Sequence, residues 1–170
     1  ETRCFADLGK PKTGVGAYCY SKHETNSVLC AAYTFDTGPT RVWAPWENNL
    51  DTLRTVKSDK GLDIDFSCPP ELEYAIKSGE LIAAHNAFVE RCETENNCVA
   101  KHGWPRPKPE QWLCTMATAQ AYGLPGGLDL ATKIAGLNVR KGSQKAMRRL
   151  MKPRTAWLKN GKGDIWFGTE

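Results

Sequence analysis

His85, Asn86 and Glu90 stand where an apolar run, Leu81-Ile82-Ala83-Ala84, gives way to polar groups. Such a run predicts a short buried strand, and the residues after it predict a helix over 87–100. In an open α/β sheet, ligands gather outside the carboxyl ends of the strands. His85 and Asn86 fall at that end. Glu90, a turn into the helix, lies beneath the same opening, where a carboxylate can do chemistry. The same carboxylate has a structural use, because negative charge near a helix N-terminus favours the helix dipole. The segment alone leaves both uses open.

Other acids and thiols compete for attention. Carboxylates at i and i+2 of a strand share a face and can hold a divalent metal. Glu1, in Glu1-Thr2-Arg3, opens such a pattern with its partner position outside the chain. Asp63-Ile64-Asp65 has the right spacing but sits in a polar, irregular stretch and reads as a solvated turn. Seven cysteines, an odd and scattered set, read as reduced thiols of a cytoplasmic protein. Cys92, Cys98, His102 and Cys114 form an alternative zinc set: Cys98 and His102 share a helix face, although the gap from Cys92 to Cys98 is wider than in zinc knuckles. Basic residues crowd the last third, among them Arg148, Arg149, Lys152 and Arg154. They read either as a solvated face or as a surface for phosphates.

The elements that must position these groups follow from the pattern. The 170 residues suit one domain; 41% are hydrophobic, 25% are charged and the net charge is +4. No apolar run approaches the ~20 residues of a membrane span, and no charged-then-apolar leader is expected. Residues 14–20 read as a short strand or its lead-in, and 27–35 as a stronger strand. A turn at 36–39 leads to an extended 40–43, giving an antiparallel hairpin. Residues 47–68 read as irregular. Pro69-Pro70 opens a helix that Gly79 ends, and strand 81–84 follows. Helices are expected at 111–122, at 128–135 and, rich in basic residues, at 143–151. An apolar strand between helices, after antiparallel strands, predicts a mixed α/β sheet flanked by helices.

The residues also carry a resemblance. Glu1-Thr2-Arg3 resembles the tail of an Asp-Phe-Glu-Thr-Arg opening. His85-Asn86-Ala87-Phe88-Val89-Glu90 resembles a motif of Asn followed four residues later by an acid. Gly103-Trp104-Pro105, Trp112 with Cys114-Thr115-Met116-Ala117, Gly123-Leu124-Pro125-Gly126-Gly127-Leu128 and Leu150-Met151-Lys152-Pro153-Arg154 extend it along nearly the whole chain. The pattern is similar to the N-terminal 3′–5′ exonuclease domain of phage-type family A DNA polymerases, in the DEDD exonuclease superfamily.

The resemblance implies a ribonuclease H-like fold over residues 1–170, cut at both ends. It also implies a two-metal phosphodiester hydrolase using Mg²⁺ or Mn²⁺. Glu1 matches the second acid of the first motif and Glu90 the third acid, both as metal ligands and catalytic residues. Asn86, His85 and Phe88 would line the substrate mouth, and Arg148 and Arg149 would contact phosphates. The implied partners are a single-stranded DNA 3′ end and a covalently linked polymerase domain, with no membrane, in a bacterial or phage-infected cytoplasm. The departures are specific. The first Asp would precede residue 1, and the closing Tyr- or His-type Asp motif would follow residue 170. Val89 replaces a usual aromatic, and Cys114 stands where many relatives carry Asp. Two rivals remain: a non-catalytic single-stranded DNA-binding module of the same fold, and a small zinc-supported interaction domain.

Overall fold

In the computed structural model, residues 2–9, 12–45, 64–65, 68–137 and 151–152 are described. A parallel pair of strands organises the middle of the chain. Strand β6 (Ile82–Ala84) lies beside β7 (Trp112–Cys114), with Ala84 opposite Cys114 at their carboxyl ends. Parallel pairing requires a crossover connection, and the one between them is helical. It runs through α3 (Ala87–Glu93), a π-helical segment (Thr94–Val99) and α4 (Ala100–His102), and stops at Gly103 in the left-handed conformation.

Ahead of this unit, α2 (Pro70–Ser78) starts behind Pro69 and ends at Gly79, φ 88°. Both punctuation marks work as expected, since proline suits a first turn and glycine a left-handed cap. The hairpin of β3 (Ala31–Tyr33) and β4 (Arg41–Trp43) is antiparallel, closed by the Gly38 amide donating to the Phe35 carbonyl at 2.8 Å. Strand β5 (Ile64–Asp65) adds to it in parallel. The backbone at Asp65 is therefore extended, not the turn expected there; Asp63 lies outside the described residues.

Three other expectations change. Residues 16–22 form a helix, α1 (Gly16–Lys22), not a strand, and it buries Tyr20 and Ser21. The expected strand 27–35 is split into β2 (Ser27–Val28), paired with β1 (Thr2–Arg3), and β3. The expected helix 111–122 begins as β7 and becomes α5 (Thr115–Ala121) only after Cys114. Helix α6 (Leu128–Ile134) falls where it was read. The basic helix at 143–151 lies outside the described residues except at its last position.

The protein is thus mixed α/β. Its described strands form three small sheets, one of them wholly parallel, where a single mixed sheet was expected. Val28, Trp43, Ile76, Cys98 and Trp104 form a core cluster where the hairpin, α2 and the π segment meet. The Trp43 and Trp104 rings meet edge to face with centroids 4.7 Å apart, a favoured aromatic geometry.

Candidate active site

Strands β6 and β7 end together, so the residues after them share one mouth. Asn86 follows β6 and caps α3 with φ 63° and ψ 50°. Asparagine tolerates this left-handed conformation better than most residues, which explains its type at a sharp strand-to-helix turn. His85 faces the adjacent connection: its Nε2 lies 2.8 Å from the Gly126 carbonyl. A carbonyl only accepts, so Nε2 carries the proton, and Nδ1 is left to accept from the Thr115 hydroxyl at 3.4 Å. His85 thus binds the end of β6 to the start of α5 and to the Gly126 turn.

Cys114 closes β7 in the same mouth. The backbone N–H groups of Ala117 and Ala87 hold its thiol below the ordinary range, against a weaker opposing effect of burial; those of Met116 and Asn86 add to the lowering. Two helix starts therefore converge on one sulfur, which favours the thiolate.

Glu90 stands in the first turn of α3 and is exposed. Phe88 is two positions earlier, about 200° around the helix by the 3.6-residue period. Both cannot serve one mouth. Glu90 shares the Asn86 side, whereas Phe88 lines a groove on the other side with Arg91, Cys92 and Trp112.

One turn beyond Glu90, Glu93 is drawn into a polar cluster that the sequence reading missed. Asn97 Nδ2 donates to Glu93 Oε2 at 2.6 Å, and Asn26 Nδ2 to Oε1 at 3.2 Å. Desolvation pushes the Glu93 carboxyl up, and the two amide donors only partly offset it. Asn97 also donates to the Ser21 carbonyl and Asn96 to the Ser21 hydroxyl. The wider π turn lets these consecutive asparagines both reach α1. The available signal was the Glu93/Asn97 spacing of four, which is common on any helix.

Over 142 residues, 83% of its length, the chain is 32% identical to a protein of Bacillus phage SP02 named DNA polymerase. The chain is similar to part of a phage DNA polymerase. The match spans 18% of that polymerase, so the chain corresponds to less than a fifth of its length. No protein-family model matches the chain, and no solved structure does.

Of the residues expected at the site, Glu1, Arg148 and Arg149 lie outside the described residues. Lys152 is described, and its Nζ pairs with Asp7 Oδ1 and the Ala6 carbonyl, each at 2.7 Å. That cation anchors the chain's own N-terminal loop. The alternative zinc set is not brought together: no group of three or more His, Cys, Asp or Glu able to hold a metal occurs among the described residues. Cys98 packs in the core, where burial pushes its thiol up to about 12, and His102 lies edge-on to Trp43 with ring centroids 5.2 Å apart. No helix among the described residues is long and apolar enough to cross a membrane.

Proposed function

We propose that the chain is a 3′–5′ exonuclease module of a DNA polymerase, with a ribonuclease H-like fold, that removes nucleotides from single-stranded 3′ ends. The similarity of 83% of the chain to part of a phage DNA polymerase carries this reading. The placement of Glu90, exposed in the first turn after a parallel strand, supports it.

A carboxylate suits a hard dication, which takes oxygen ligands, and of the two expected metal ligands Glu90 is the one that falls among the described residues. Glu90 would hold Mg²⁺ or Mn²⁺ together with Glu1 and with acids on either side of the chain. When bound, such ions lower the pKa of the attacking water and neutralise charge on the leaving oxygen. Asn86 caps the helix that carries Glu90 in its first turn, and its side-chain amide would position a substrate phosphate or sugar. His85 holds the mouth's far wall through Gly126. A duplex must fray before its terminal phosphodiester reaches such a site.

The test compares nucleotide release from a 3′-labelled single strand and from a blunt duplex, using the polypeptide with its flanking coding sequence. The single strand is expected to be degraded faster, one nucleotide at a time from its 3′ end. Equal rates on both, or release from the 5′ end, would overturn the reading. Binding without release would select the non-catalytic module.

A further inference from the structure

We propose that a second surface, the groove of Tyr18, Phe88, Arg91, Arg106 and Trp112, binds single-stranded nucleic acid on the side of α3 turned away from Glu90. It rests on the proposed function only for the nature of the strand, DNA.

The groove encloses about 310 Å³ between α1, α3 and the proline-rich approach to β7. Its aromatic side chains come from three different elements. Tyr18 is 54% exposed and Phe88 59% exposed. Single exposed aromatics are ordinary, but rings that converge on one cleft mark a binding surface. Flat rings facing an open cleft offer stacking platforms to any base, whatever its sequence.

Charge chooses the occupant. Arg91 and Arg106 line the groove, and Lys22 Nζ lies 4.5 Å from the centroid of the Tyr18 ring. The acid in the lining is Glu95, which pairs with Arg106 at 2.8 Å; the Arg106 side chain is 69% exposed. An exposed ion pair contributes little, so Arg106 can exchange Glu95 for a phosphate at small cost. Pro107 and Pro109 stiffen the wall between Arg106 and Trp112. An apolar polypeptide segment would need the rings but not the cations. Rings interleaved with arginines fit a chain of bases joined by phosphates.

The experiment measures binding of a fluorescein-labelled oligo(dT) to the 170-residue chain in EDTA, which separates binding from metal-dependent hydrolysis. Tyr18→Ala and Arg106→Ala are each expected to weaken binding about fivefold or more. Arg106→Ala should also flatten the plot of log affinity against log salt by about 0.7, the value of one single-strand phosphate contact. Tyr74→Ala, an exposed ring on α2 outside the groove, serves as control and should change nothing. Both altered side chains are largely exposed, and circular dichroism checks that each variant folds; if one fails, the other carries the test. Parent-like affinity in the groove variants, an equal loss in Tyr74→Ala, or no binding by the parent overturns the proposal. Hydrolysis is scored separately, in Mg²⁺ or Mn²⁺, on the polypeptide with its flanking coding sequence. Groove variants that lose affinity in a protein that never releases nucleotides sustain the groove and sink the exonuclease. Intact hydrolysis with unaltered groove variants does the reverse.

Discussion

Glu93 illustrates how much of a residue's role depends on neighbours that its local sequence does not contain. Its partner Asn26 is 67 positions away, so nothing near Glu93 distinguishes it from the surrounding acids. The place of Glu90 in a first helical turn, by contrast, was legible because strand, turn and helix are consecutive. The Glu93 shift has a definite sign. A carboxyl raised by burial binds its proton more tightly in the folded protein than in the unfolded chain. Stability therefore falls as pH rises from the ordinary carboxylate value to the raised one, and the penalty persists above it. Glu93→Gln should remove that slope, as read from urea midpoints across pH. Glutamine keeps one acceptor for the two amides, and neither amide turns to accept from it without setting its oxygen against the Tyr20 or Ser21 carbonyl that its nitrogen binds. Glu93→Ala should cost about 1–3 kcal/mol, because it strands buried amide donors. At Cys114, the lowered thiol should react with iodoacetamide before the buried Cys92 and Cys98, both of which are raised. Peptide mass mapping of a partial alkylation checks the order.

Elements were legible where punctuation is local and illegible where pairing is distant. Pro69, Pro70 and Gly79 bounded α2 correctly. Strand β7 has three residues, too few for an alternating pattern, and its partner β6 lies thirty positions upstream. What fixes its start is Gln111, buried, whose Nε2 donates to the Ile76 and Glu80 carbonyls. Helix α1 reads like a strand because tyrosines favour extended structure. It folds as a helix because Ser21 meets Asn96 and Asn97 across α3's continuation. The αL turn at Asn86 gives a direct prediction at this scale. Asn86→Ala should lower unfolding free energy by about 1 kcal/mol, the order of the penalty for an ordinary residue in that conformation, whereas Asn86→Gly should lose less. Denaturant titration of the three proteins checks it. A larger loss of activity than of stability in Asn86→Gly would show that the amide also touches substrate.

At the scale of the molecule, the chain's order predicted the hairpin and strand β6, but not β7 as its parallel partner or the division into three small sheets. Which strands share a sheet depends on long-range packing around Trp43 and Trp104, which no local window contains. Trp43, 2% exposed, joins the hairpin to the helical crossover, so Trp43→Ala should cost about 3–5 kcal/mol and broaden thermal unfolding. The same packing gives α3 two sides: Glu90 on that of Asn86 and the strand ends, Phe88 and Arg91 on that of the groove. The exonuclease reading depends on the first of these. Its most direct test is nucleotide release from a 3′-labelled oligonucleotide in Mg²⁺ or Mn²⁺, using the polypeptide with its flanking sequence and comparing Glu90→Gln with Glu93→Gln. Each replacement removes one negative charge and almost no volume. The account predicts that Glu90→Gln loses orders of magnitude in rate with unfolding unchanged, while Glu93→Gln stays near the parent. Glu90→Gln digesting as fast as the parent would contradict it and leave Glu90 a carboxylate that serves only its helix.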